Sequence, residues 1–181
     1  MKMALSFAVA VVASMLSASH AAKLTLSSPT VANGRTLPDV HVYNDDGCTG
    51  ANRSPELSWS GAPAGTKSFA VTVHDPDAPH EGGWWHWLVF DISAGARGLP
   101  EGAGNGAGLP AGAIESRTDF GKPGYGGACP PPGNPHRYVF AVYALKTAKL
   151  GLKSDDAPAK VDGAIRHNSL GQATITALYG Q

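Results

Sequence analysis

Three segments of the 181-residue chain have patterns of hydrophobic and polar residues that are typical of β-strands. Phe69 to Asp75 has the clearest alternation, because its odd-numbered positions would share one face of a sheet. Trp85 to Ile92 is apolar on both faces, which favours an interior strand. Arg137 to Leu145 is rich in aromatic and branched residues and predicts a third long strand. These three segments predict a β-sheet as the framework of the protein.

Weaker patterns add shorter elements, separated by turn-rich stretches at residues 44–55, 95–112 and 121–135. Around Pro38, the segment Thr30–Tyr43 predicts one or two further strands. The whole pattern predicts a mainly β-protein of antiparallel sheets with peripheral helix. The remaining predicted elements are strands at Lys23–Ser28, Leu57–Ser60 and Ala113–Asp119, a helix over Asp156–His167, and a short last element with Ile175, Leu178 and Tyr179.

Composition supports one globular domain and narrows the choice of ligand. Hydrophobic residues make up 43% and charged residues 15%, which is enough apolar content for one core. The 23 glycines and 14 prolines indicate many turns and long loops. Lys and Arg together number 14 and are balanced by 14 Asp and Glu. This balance argues against nucleic-acid binding, and any anion would have to bind in a local pocket.

The first residues have the pattern of an export signal. Lys2 is followed by the apolar run Ala4–Leu16, and Ser19-His20-Ala21 offers small residues to a signal peptidase. The alternative is a membrane anchor, but the run is shorter than the roughly 20 residues that span a bilayer. We therefore expect residues 1–21 to be a signal peptide, cut after Ala21 or Ala22. Residues 22–181 would then be one exported β-domain, in the periplasm or outside the cell.

The two cysteines, Cys48 and Cys129, lie in Gly-rich loops. In an oxidising compartment an even pair favours a disulfide. Two unpaired thiols are the alternative. A catalytic cysteine is a weaker hypothesis, because exported thiols tend to oxidise.

Three segments concentrate side chains that could bind a ligand. His74-Asp75-Pro76-Asp77-Ala78-Pro79 ends a predicted strand with two carboxylates and stiffening prolines. Trp84-Trp85-His86-Trp87 places one imidazole among three indoles. In residues 130–138, a proline-rich loop leads into His136.

Together these segments suit a small anion or a phosphate group. An imidazole can donate hydrogen bonds to an anion, and a carboxylate such as Asp75 would orient it. Proline and aromatic side chains would form an apolar rim of fixed shape. Each segment alone has a structural alternative. A histidine in a strand is often a hydrogen-bonded structural residue, tryptophans usually pack in a core, and Arg137 would brace a loop through an ion pair.

The same segments resemble the phosphatidylethanolamine-binding protein family. The stretches Asp75–Pro79, Trp84–His86 and Gly133–Tyr143 are similar to the family's signatures, in its order and at a compatible spacing. Residues 121–131, and Gly47-Cys48 with 52–59, resemble the bacterial branch often called Raf-kinase-inhibitor-like. The resemblance covers most of the chain, from about Leu24 to Leu145.

This resemblance implies two antiparallel sheets, the larger one central, with small helices at the edge. It also implies an anion pocket, and Asp77 would brace the loop of the first motif. Tyr125 and Asp77 are candidates for the rim. Cys129 stands where animal members have a glycine beside the pocket, so the loop would be pinned to Cys48. No pocket residue carries over after Leu145, where the match is poor. The implied pocket residues are Asp75, Pro79, Trp84, His86, Pro130 and His136.

The favoured function is non-catalytic binding of a small anionic ligand, such as phosphate or a phospholipid headgroup. It needs no cofactor or metal and at most peripheral membrane contact. A homodimer and the identity of any protein target are left open. One alternative is a secreted inhibitor or signalling protein that acts on a protease, kinase or host partner through its surface. A Ser-His-Asp hydrolase lacks a Gly-x-Ser-x-Gly motif.

The last alternative is a metal-dependent hydrolase using His74, Asp75, His86 and His136. Alternation argues against it, because His74 and Asp75 would point to opposite faces of their strand. The chain also has no His-Glu-x-x-His motif.

Overall fold

The computed structural model describes residues 23–106 and 108–181, which form two antiparallel sheets with small helices. The predicted signal peptide lies outside this range. The fold class predicted from the sequence is confirmed. The strands are β1 (Thr25–Ser27), β2 (Leu57–Ser60), β3 (Ser68–Asp75), β4 (Trp84–Ser93), β5 (Gly98–Leu99), β6 (Ile114–Glu115), β7 (His136–Leu145) and β8 (Ser169–Tyr179). The helices are α1 (Pro158–Asn168) and two 3-10 turns, Asp39–His41 and Ala103–Asn105.

The larger sheet has the strand order β6-β4-β3-β7-β8, and the smaller sheet has the order β1-β2-β5. One core lies between the two sheets, where Phe69 and Val71 of β3 pack with Leu57 and Trp59 of β2. A second core lies on the other face of the larger sheet, beneath Val161 and the rest of the apolar face of α1. The larger sheet is therefore covered on both faces, which explains the long apolar runs in β3, β4 and β7.

A β-bulge interrupts β4 at the end where the polar segments meet. Val73 of β3 lies opposite Trp87 of β4. The next residue of β3, His74, lies opposite Trp85, so β4 carries one extra residue there, His86. A bulge bends its strand and redirects side chains. It lets His86 leave the alternation that its neighbours in the strand follow.

The N-terminal segment differs from the prediction. Thr30–Tyr43 contains no strand, only the 3-10 turn and two isolated bridges. Leu37 donates its backbone N–H to Leu178 of β8, but Pro38 has no N–H with which to continue such a ladder. The chain therefore touches the edge of the larger sheet without adding a full strand.

The C-terminal segment is more regular than predicted. β8 has eleven residues and pairs with β7 along its length, whereas the sequence predicted only a short element. Small residues such as Gly171 and Ala173 weaken its local pattern, so its pairing with β7 determines the strand. The helix begins at Pro158, two residues later than predicted, because proline suits the first helical position. Among the described residues, no helix has the length and apolar character needed to cross a bilayer.

Candidate functional site

A cavity of about 460 Å³ opens at the end of the larger sheet where β3 ends and β7 begins. The structure brings together at this cavity all six pocket residues expected from the sequence, from three separate segments. Those six are Asp75, Pro79, Trp84, His86, Pro130 and His136. The remaining lining residues are Asp46, Ala78, His80, Phe120, Cys129, Pro131, Pro132, Tyr138 and Gln181.

Asp75 is the last residue of β3 and is only 2% exposed. Its Oδ1 accepts hydrogen bonds from the backbone N–H groups of Asp77 at 2.8 Å and Ala78 at 3.1 Å. These bonds close the turn that follows the strand. Its Oδ2 accepts a hydrogen bond from Nδ1 of His136 at 2.8 Å. One buried carboxylate therefore fixes both the loop and the imidazole.

His136 is the first residue of β7 and lies on the same face as Tyr138 and Phe140. Its side chain is about 12% exposed. Because Nδ1 is bonded to Asp75, Nε2 is the ring nitrogen that remains for a ligand.

His86 reaches the cavity from the β4 bulge and is 4% exposed. Its Nδ1 lies 2.8 Å from the carbonyl oxygen of Gly126 and 3.1 Å from that of Gly127. Carbonyl oxygens only accept, so Nδ1 carries the proton and Nε2 is unprotonated in the neutral ring. Burial lowers the pKa of His86 to about 4, because the charged form is poorly solvated there. At neutral pH His86 therefore offers the lone pair of Nε2.

Tyr138 adds a buried donor that we did not predict from the sequence. It is 1% exposed, and its hydroxyl makes no hydrogen bond within residues 23–106 and 108–181. Burial raises the pKa of this hydroxyl, so the group stays protonated. A fully buried hydroxyl without a partner is uncommon and indicates a place for a ligand or water. Alternation could have found it, because Tyr138 lies two residues after His136.

Aromatic rings form one wall of the cavity. Trp84 and Phe120 meet edge to face with ring centres 5.5 Å apart, and His80 lies 4.7 Å from Trp84. The neighbouring Trp85 and Trp87 are buried in the two cores instead. Of the three indoles in this segment, only Trp84 therefore lines the cavity. The sequence did not predict that Phe120 lines the cavity, because it lies in a Gly-rich loop without periodicity.

A disulfide joins Cys48 to Cys129, which are 81 positions apart in the sequence, and confirms the expected pairing. Cys129 itself lines the cavity. On the same side, Nε2 of Gln181 donates a hydrogen bond to the carbonyl of Pro130 at 2.8 Å. The loop that supplies the proline wall is therefore held from two directions. Gln181 lies beyond Leu145, where no pocket residue was expected.

Asp77 braces its loop, as expected, but it lies outside the cavity and not on its rim. It accepts hydrogen bonds from the Arg137 side chain at 2.9 Å and 2.6 Å, and from the Arg137 backbone N–H at 2.9 Å. The Arg137 guanidinium lowers the pKa of Asp77 to about 2. This pair joins the turn after β3 to the start of β7, beside the Asp75–His136 bond.

The structure corrects the position expected for Tyr125. It does not line the cavity and is 5% exposed. Its hydroxyl donates to the carbonyl of His41 at 2.8 Å, and its ring meets that of Trp87 edge to face. Tyr125 therefore packs into the core beneath the loop, since its ring fills apolar space and its hydroxyl has an internal partner.

His74 points away from the cavity, as alternation predicts. Its ring stacks on Trp85 at 4.1 Å, and Nε2 lies 2.8 Å from the carbonyl of Gly82. Within the described part of the chain, no group of three or more His, Cys, Asp or Glu side chains is arranged to hold a metal ion.

The fold and cavity define a two-sheet β-protein with a polar pocket at one end of its larger sheet. The family model described as phosphatidylethanolamine-binding protein matches residues 27–180. The chain is 48% identical over 163 residues to the UPF0098 protein YbcL of Escherichia coli K12, covering 88% of this chain and 89% of YbcL. It is 46% identical over 157 residues to YbhB of the same organism, covering 86% of this chain and 99% of YbhB. The chain therefore belongs to the phosphatidylethanolamine-binding protein family.

Solved structures agree with this assignment. The crystal structure of E. coli YbcL matches with a TM-score of 0.86, covering 88% of this chain and 99% of that one. The Chlamydia trachomatis protein CT736 matches with a TM-score of 0.74 at 29% identity, covering 88% of this chain and 98% of its own. The two-sheet architecture is thus shared across the length of these proteins.

Proposed function

We propose that this protein binds a small phosphate-like anionic group, free or as part of a larger headgroup, and does not catalyse a reaction. The observation that carries the proposal is the convergence of His86, His136 and Tyr138 on one cavity. Each presents a polar atom that no hydrogen bond within the described residues occupies. The aromatic and proline walls would fix the position of the ligand and exclude water.

The cavity has features of a binding site rather than of a catalytic one. Both carboxylate oxygens of Asp75 already accept hydrogen bonds. Among the lining residues there is no serine, threonine or lysine, and Cys129 is in a disulfide. The hydroxyl, thiol and amine nucleophiles of Ser, Thr, Cys and Lys are therefore missing from the described residues of the lining. These groups are suited to hold a ligand in a defined orientation.

Calorimetric titration with phosphate, phosphoethanolamine and acetate tests this function. We expect the wild-type protein to bind at least one of these, and His136→Ala to weaken binding at least tenfold. His167→Ala is a matched control, because His167 is exposed on α1. Wild-type protein that binds none of the three, or His136→Ala that binds as well as wild type, would rule the function out.

We also propose that the protein acts outside the cytoplasm. The sequence pattern of residues 1–21 supports this, and so does a disulfide between distant loops, which is typical of oxidising compartments. Mass spectrometry of protein recovered from cell fractions should find a mature chain that starts at Ala22 or Lys23 in the periplasm or medium. An uncut chain in the cytoplasm would contradict export.

A further inference from the structure

The cavity that we propose for an anion carries no positive side chain. Its lining includes two carboxylates, Asp46 and Asp75, and neither lysine nor arginine. The nearby Arg137 is paired with Asp77 outside the cavity. A fully ionised anion would therefore lose its water without gaining an opposite charge from the lining.

The free polar atoms of the cavity are mostly acceptors. Nδ1 of His86 donates to loop carbonyls, so Nε2 presents a lone pair. In a neutral ring the same holds for Nε2 of His136, whose Nδ1 faces Asp75. The hydroxyl of Tyr138 is the one buried donor without a partner among the described residues that line the cavity. A fully deprotonated oxyanion can only accept hydrogen bonds. It can therefore accept from the hydroxyl of Tyr138, but its lone pairs face the lone pairs of the two histidine Nε2 atoms.

Building on the proposed function, we propose that the cavity selects an acid group that still carries a proton. The hydroxyl of the acid donates to Nε2 of His86, and an unprotonated oxygen of the same group accepts from Tyr138. The ligand class is then inorganic hydrogen phosphate or a singly protonated phosphate monoester. Phosphodiesters, including intact phospholipid headgroups, and sulfate lack the acid proton and bind poorly.

The groups around His86 decide whether the shared proton stays on the ligand or moves to the imidazole. β3 contributes Asp75 and the neighbouring His74, β7 contributes His136 and Tyr138, and the loops contribute Asp46 and His80 to the lining. Asp75 favours a charged imidazole, but burial opposes it more strongly and leaves the pKa of His86 low. The proton shared by ligand and histidine therefore stays on the ligand oxygen.

A series of small probes tests the inference on the wild-type protein. Methyl phosphate, dimethyl phosphate and sulfate are compared by calorimetry at pH 6 to 8, in buffers with different ionisation enthalpies. A phosphate monoester has its second pKa at about 6, so its singly protonated form becomes scarce above that pH. We expect the affinity for methyl phosphate to fall up to tenfold from pH 7 to 8, with nearly one proton taken up on binding at pH 8. Dimethyl phosphate and sulfate should bind at least tenfold more weakly than methyl phosphate at pH 6.

Two variants locate the effect. His86→Phe keeps a ring of similar size but has neither the lone pair of Nε2 nor any donor, so it should reduce the preference for methyl phosphate over sulfate at least tenfold. Tyr138→Phe removes a donor that serves both anions, so it should weaken both and leave their ratio unchanged. Thermal unfolding checks that both variants fold, and the comparison of probes on the wild-type protein remains a test even if His86→Phe does not fold.

Three results would overturn the inference. If dimethyl phosphate or sulfate binds wild type as tightly as methyl phosphate, the site does not select a protonated acid, although the proposed anion binding stands. Sulfate binding with uptake of one proton would place that proton on a histidine instead. If none of the probes binds and inorganic phosphate does not bind either, the proposed function and this inference both fail.

Discussion

The larger sheet buries one carboxylate near each end. The two ends differ in whether the groups around the carboxylate keep polar atoms without a hydrogen bond. Asp75 is 2% exposed and Asp91 is 6% exposed, and each lies near a register shift between β3 and β4. Asp91 accepts a hydrogen bond from the backbone N–H of Leu150 at 2.8 Å, and Nζ of Lys149 lies 3.6 Å away. The carboxylate of Asp91 is therefore paired with groups of the neighbouring loop. At the Asp75 end, the neighbouring groups retain free polar atoms that face a cavity.

This difference separates a structural carboxylate from one that organises a site. Burial of an acid is common to both, so burial alone does not identify function. Asp91 accepts the hydrogen bond of a loop N–H, whereas Asp75 orients His136 towards a cavity that no side chain of residues 23–106 or 108–181 fills. The open polar atoms beside a buried acid are therefore the more useful signal.

The largest expected effect comes from the disulfide, which is present only at the cavity end. Cys48 and Cys129 close a loop of about 80 residues, so chain entropy alone predicts a loss of about 4 kcal/mol in unfolding free energy without it. Urea denaturation of the Cys48→Ser/Cys129→Ser double variant measures this loss. A variant as stable as wild type would show that other contacts hold the loops of Cys48 and Cys129 in place.

Substituting the two acids tests the comparison directly. Asp91→Ala leaves the N–H of Leu150 without its acceptor, so we expect a loss of about 2 kcal/mol in unfolding free energy and unchanged phosphate affinity. Asp75→Ala should reduce phosphate affinity at least tenfold, because His136 loses its orienting partner. Denaturation and calorimetry on both variants supply the data. Equal loss of affinity in both would remove the distinction between the two ends.

A smaller effect depends on pH. His86 has a lowered pKa in the folded state, so below about pH 6.5 the unfolded state takes up a proton that the folded state refuses. Its stabilising contribution is complete above that pH and is lost as the pH falls towards 4. Between pH 7 and 5 this loss is about 2 kcal/mol. His41 is also buried with a lowered pKa and adds to the loss in wild type.

The matched variant for this prediction is His86→Gln, which keeps His41 and lacks the titrating ring. It should lose less stability than wild type between pH 7 and 5 when both are measured by urea denaturation. Parallel pH curves for the two proteins would show that burial of His86 does not contribute.

The six pocket residues were predicted from the resemblance to the family's motifs, whereas alternation along β3 reports which side chains of that strand share a face. It correctly placed Asp75 on the inner face and His74 on the outer one. The bulge at His86 could not be predicted, since a period of two contains no sign of an inserted residue. Tyr125 was misplaced because its Gly-rich loop has no periodicity, and only packing against Trp87 decides where its ring lies.

The most direct test of the proposed site is nitrogen NMR of the histidine rings during titration with inorganic phosphate. We predict that the signals of His86 and His136 change with phosphate concentration. The signals of His41 and His74 should not change, because both rings are hydrogen-bonded to backbone carbonyls outside the cavity. A titration that leaves His86 and His136 unchanged, or that moves all four alike, would contradict a phosphate-binding cavity at this end of the sheet.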